Sequence, residues 1–199
     1  MVWTGSAGSL WNTADTGWND HLTPGDASQF ASGDRVIFDG ASDTGNEANR
    51  HITIEGAYVT VSDLIVRGDA SYSFDGAAII ADAESVVDVP DTLTGATGKL
   101  LKQGTGTLTL APATGTNHFK GGVELQSGVL ALDSPGALGD SAVSITGDAG
   151  APVTLRIESN ARGIQLGGPV DLGTKGLTLD TQAHDATLAG ALTGDTGGD

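Results

Sequence analysis

Residues 100–139 read LLKQGTGTLTLAPATGTNHFKGGVELQSGVLALDSPGALG, and they contain one phrase written twice. Residues 105–110 are TGTLTL and residues 127–132 are SGVLAL, so Gly106, Leu108 and Leu110 return as Gly128, Leu130 and Leu132 after 22 residues. Apolar residues two apart share one face of a β-strand. A strand face repeated at a fixed step, with Gly-rich chain between, describes strands stacked in successive coils rather than one amphipathic sheet.

The same pattern extends outward in both directions. One series of apolar pairs is Leu64/Val66, Val87/Val89, Leu108/Leu110, Leu130/Leu132, Leu155/Ile157 and Leu177/Leu179. A second is Val59/Val61, Ile79/Ala81, Leu101/Gln103, Val123/Leu125, Val143/Ile145, Ile164/Leu166 and Ala186/Leu188, with Gln103 its weakest member. Steps in both series fall between 20 and 25 residues. Two interleaved series mean at least two strands per period, and the intervening Gly, Asp, Ser and Thr supply turns. No coil of this length can bury its own apolar face, so stability has to come from its neighbours. The expected fold is all-β, a right-handed parallel β-helix with coils of about 22 residues. Leu93-Thr94-Gly95 also recurs as Leu192-Thr193-Gly194. With that echo close to the last residue, and with Met1-Val2-Trp3 running straight into Gly and Ser without a signal peptide, the chain reads as a piece of a longer one.

Composition agrees with short strands and many turns. The chain has 199 residues, 31 Gly, no Cys, 5% aromatics and a formal charge of -16. Nine scattered basic residues against 25 acids argue against nucleic acid and anionic membranes as partners, since both require clustered Lys and Arg. No run approaches the roughly 18 apolar residues of a membrane helix.

The repeated stretch resembles the passenger-associated repeat of bacterial autotransporters. Lys102, Gly104, Gly106, Leu108, Leu110, Asn117, Phe119, Gly121, Gly122, Leu130 and Leu132 occupy the spaced positions of that pattern, and residues 136–145, GALGDSAVSI, resemble its continuation. The resemblance implies type V export, display at the bacterial surface or release, and a C-terminal outer-membrane β-barrel on the same parent chain. It also implies a repeat that serves secretion and folding of the passenger rather than catalysis, and adhesin-like contact with a host or cell-surface protein or glycan.

Residues 1–50 differ from the rest. They hold Trp3, Trp11 and Trp18, followed by Phe30 and Phe38. Terminal repeats of solenoids are usually atypical, so this segment is expected to cap the coils of residues 51–199. A second reading makes the indoles a platform for sugar rings, within a carbohydrate-active β-helix that binds polysaccharide or cleaves it in the manner of a lyase. A third, weaker one is a phage or S-layer-like fibre component.

Candidate chemistry is sparse. Gly139-Asp140-Ser141 resembles the nucleophile region of chymotrypsin-like proteases, but Ala142 stands where Gly is wanted, and His21, His51, His118 and His184 lack a catalytic context. A lyase-like calcium site could draw on Asp63, Asp69, Asp75, Asp82, Glu84 and Asp88 beside Arg67, with Asp82 and Glu84 on one strand face. A solvated acidic face is the simpler explanation and the one favoured, and the nonapeptide calcium pattern is absent. Lys102 precedes its glycines, so this is no phosphate loop, and Lys102 is expected to point outward or lie in a turn. The sequence therefore assigns no catalytic, cofactor-binding or metal-binding residue.

Overall fold

Leu108 lies directly beside Leu130, and Leu130 beside Leu155, in parallel register one coil apart. The computed structural model describes residues 1–20, 27–43, 47–82, 97–147 and 151–194, and its described residues contain no α-helix. Three sheets run along the stack, of ten, eight and two strands. One coil illustrates the plan: Val143–Ile145 belongs to the ten-stranded sheet, Val153–Ile157 to the eight-stranded sheet and Ile164–Leu166 to the small one. The next coil repeats it as Val170–Asp171, Thr178–Asp180 and Ala186–Leu188, each parallel to its predecessor. The result is a parallel β-helix with up to three strands per coil.

Alternation decides which side chains fill the column. In Thr107–Pro112 the threonines face outward while Leu108 and Leu110 are fully buried, the period-two burial expected of a sheet with one dry face. Turn glycines let coils approach closely. A Cβ on Gly104, whose φ is +75°, would run into the Gly68 backbone of the preceding coil. Only Gly fits where both the left-handed φ and the approach are required.

At the N-terminal end the parallel order gives way. Val2–Trp3 is parallel to Arg35–Phe38 but antiparallel to Trp18–Asn19, which in turn pairs antiparallel with Ala27–Ser28. At the other end, Leu179 and Leu192 are 38% and 57% exposed.

Several expected pairings are corrected by the register. Leu64/Val66 stacks on Leu100/Lys102 in the ten-stranded sheet, not in the series of Leu108/Leu110. The inward pair in the second series is Leu100/Lys102, not Leu101/Gln103, because a one-residue slip exchanges the two faces of a strand. Val59/Val61 does stack on Ile79/Ala81, but Phe119 follows Ala81 in that row. Leu155 lies on Leu179 rather than Leu177. Each coil has up to three strands, so two series spaced alike had blended three rows. Val87/Val89 and Leu93-Thr94-Gly95 lie outside the described residues.

Lys102 is the sharpest correction. It is 1% exposed and sits at an inward position, between Val66 and Leu125 in the stack. Its methylenes extend the apolar row and its ammonium reaches the corner of the coil, as long basic side chains do when only the tip needs polar company.

Candidate functional site

The three tryptophans come together and leave no face to solvent. Trp3, Trp11 and Trp18 are each fully buried, with Trp3 and Trp18 ring centroids 5.0 Å apart and Trp11 and Trp18 5.4 Å apart. Phe30, Phe38 and Phe74 pack on them at 5.5–5.9 Å, and Phe38 lies 4.8 Å from Phe74, the offset and edge-on spacings that aromatic pairs prefer. Trp3 Nε1 donates to the carbonyl of Asn49 at 3.1 Å. A sugar platform needs an exposed indole, so the tryptophans do not form one.

The spaced positions of the repeat are joined through its corners. Lys102 Nζ donates to the carbonyls of Gln103 at 2.8 Å, Gly104 at 2.9 Å and, one coil further, Ser127 at 3.3 Å. Burial pulls its ammonium down to about 8, still protonated at neutral pH. Asn117, 2% exposed, accepts from the Ile79 amide at 2.8 Å and donates to the Ala137 carbonyl at 2.9 Å, stitching coils on either side of it. Ser141 Oγ accepts from the Phe119 amide at 3.0 Å. The resemblance of Gly139-Asp140-Ser141 to a nucleophile therefore ends in a buried turn whose hydroxyl serves the backbone.

The carboxylates proposed for a calcium or lyase site are dispersed. Asp63 binds Arg35 at 2.8 Å and the Thr97 and Lys99 amides. Asp69 accepts from Thr105, Asp75 from His51, and Asp82 pairs with Lys120. Arg67 faces Asp39 instead of any of them. His21, Glu84 and Asp88 lie outside the described residues. Among the described residues no three His, Asp or Glu side chains converge as metal ligands.

One constellation has no local sequence pattern to announce it. Ser73 Oγ is 2.7 Å from His51 Nδ1, and His51 Nε2 is 2.9 Å from Asp75 Oδ2. The connectivity resembles a nucleophile, base and carboxylate. It sits on the outer sheet face, with Ser73 in ladder register with His51 on one side and Thr109 on the other. Ladder pairing on both sides commits the local amides to the sheet, so none is free to hold an oxyanion. The group reads as a cross-strand polar tie.

A cleft of about 450 Å³ opens where residues 12–14 and Phe30 meet the long strand His51–Val61. The strand bulges between Ile54 and Tyr58, where its register against the next strand shifts. The bulge turns Glu55, Gly56 and Tyr58 outward, leaving Tyr58 61% exposed. Asn12 Nδ2 donates to Glu55 Oε2 at 2.6 Å, and Glu55 is the single charged side chain among the described residues lining the cleft.

A passenger-associated-transport-repeat family model matches residues 100–132, the span of the doubled phrase. The chain is 32% identical over 160 residues to the adhesin BmaC autotransporter of Brucella suis biovar 1. That alignment covers 70% of this chain but 5% of the relative. No solved structure matches the chain. The chain is an autotransporter passenger segment. The passenger's repeat is thus the set of corner contacts around Lys102, Gly104 and Asn117, and the alternating leucines that stack on them.

Proposed function

We propose that this passenger segment is a non-catalytic β-helical spacer and contact surface of a surface-displayed or secreted adhesin. Its parent chain carries the C-terminal outer-membrane barrel through which it is exported. The repeat at residues 100–139 promotes folding of the passenger outside the cell, because each finished coil presents a ready edge for the next, and the aromatic segment of residues 1–50 caps the coils of residues 51–199. The observation that carries this reading is the unbroken parallel register that runs from Leu108 and Leu130, inside the matched passenger repeat, to Leu155 in the next coil beyond it. The carbohydrate-active alternative loses its main support with the burial of all three tryptophans.

The test is display of the chain upstream of an autotransporter barrel on a bacterium that lacks adhesins. Surface amount is read by added protease, and host-cell attachment is compared with the barrel alone. The repeat's role predicts that Gly104→Val with Gly128→Val cuts the displayed amount severalfold. Attachment no better than the bare barrel, at full display, would sink the adhesin role; undiminished display of the double variant would sink the secretion role.

A further inference from the structure

The basic residues of this chain are almost all engaged. Arg35 faces Asp63, Arg50 faces Asp43, Arg67 faces Asp39 and Lys99 faces Glu124. Lys120 pairs with Asp82, Arg156 lies between Glu158 and Asp180, and Lys102 is buried. With 25 acids set against nine bases, the field outside the molecule is negative and attracts cations.

Among the described residues that field meets a concave cleft with an exposed ring in its wall. Glu55 and Tyr58 leave the same bulge and line the same cleft. Asn12 anchors one oxygen of Glu55, which fixes the carboxylate without neutralising it. The same Asn12 side chain accepts from the Asp15 backbone amide at 2.8 Å. Burial, with the Glu55 charge adding to it, raises the Asp15 carboxyl above its usual range. A carboxylate beside an open tyrosine face is the pairing that receives a guanidinium or ammonium, by ion pairing and by cation–π attraction.

We propose that this cleft docks a Lys- or Arg-bearing segment of a partner protein, with the cation between the Glu55 carboxylate and the Tyr58 ring. This rests on the surface-contact reading above and supplies its partner chemistry. The volume suits one long basic side chain and its flanking backbone. Anionic partners are repelled by the net charge. A second copy of this chain is a poor occupant, because its own cations are largely paired or buried.

The experiment titrates the purified 199-residue chain with an N-acetylated, amidated tetra-arginine peptide by calorimetry, at about 50 mM and about 300 mM salt. Cellotetraose serves as the neutral saccharide. Binding at one site, weakened severalfold by salt, is expected for the peptide. Tyr58→Ala and Glu55→Gln each weaken it by about fivefold or more. Glu158→Gln, which removes the same charge from the residue that follows Val153–Ile157, a strand four places from His51–Val61 in the eight-stranded sheet, changes it less than twofold. Circular dichroism checks that all three variants keep the β-helix. Equal loss in Glu158→Gln, multiple weak sites, or no peptide binding overturns the proposal. So does salt-insensitive cellotetraose binding that depends on Tyr58, which would mark the cleft as a sugar site. Because the titration needs no export, its failure is separable from failure of surface display.

Discussion

Lys102 Nζ stands 3.3 Å from the carbonyl oxygen of Ser127, a residue of the following coil. Through that contact and those to Gln103 and Gly104, one interior cation clamps the corner of two coils at once. Lys102→Met keeps the apolar stem and removes the clamp. Three carbonyls then lose a donor, and an unmade buried hydrogen bond costs more than a made one returns. The expected loss is about 1–3 kcal/mol at pH 7, read as a lower urea midpoint with unchanged slope.

The same lysine gives the stability a pH dependence of defined sign. Burial lowers its pKa from the ordinary 10.5 to about 8. Between those values the unfolded chain holds the extra proton, so folding releases it and stability rises with pH across that window. Wild type should gain on Lys102→Met by about 2–3 kcal/mol between pH 7.5 and pH 10.5. Other titrating groups cancel in that difference. A difference that is flat or shrinks with pH would show that Lys102 is not held in a dry corner.

Gly128 sits against this clamp from the other coil. Its φ is +79°, and a Cβ there would meet the carbonyls of Gly104 and Gly106 and, at 2.9 Å, Lys102 Nζ. Gly128→Ala must strain the backbone and push the coils apart, so it should cost about 2–4 kcal/mol, more than an ordinary loop substitution. Gly163, also at positive φ but with open space around it, provides the control: Gly163→Ala pays the backbone strain alone. Thermal melts of the two variants separate the contributions.

What the sequence made legible follows from how each feature is encoded. Leu108 and Leu130 announced their stacking because period-two alternation at a constant step has few other physical solutions. Lys102 was misplaced because its inward role depends on carbonyls of Gln103, Gly104 and Ser127, which no local pattern reveals. The burial of Trp3, Trp11 and Trp18 could not be told from an exposed platform, since indoles suit either setting. The tie from His51 to Ser73 and Asp75 joins residues 22 apart or more and exists only through the register of two strands. One signal for it was available: that separation is the coil period itself.

Asn117 carries the last prediction. Its side chain satisfies a buried amide of Ile79 and a buried carbonyl of Ala137, while its own amide donates to Gly136 at 2.8 Å. Asn117→Leu keeps a similar volume but strands both partners away from water. Each stranded group costs about 1–3 kcal/mol, so a total loss of about 2–4 kcal/mol is expected, comparable to emptying part of the core. Asn117→Asp keeps the acceptor for Ile79 but replaces the donor with an oxygen that faces the Ala137 carbonyl. It should be destabilised more at pH 7 than at pH 4, where protonation restores a donor. Hydrogen exchange at the Ile79 amide provides the local readout. It should quicken strongly in Asn117→Leu and only modestly in Asn117→Asp. If both variants exchange like wild type, the coils on either side of Asn117 are held together without it.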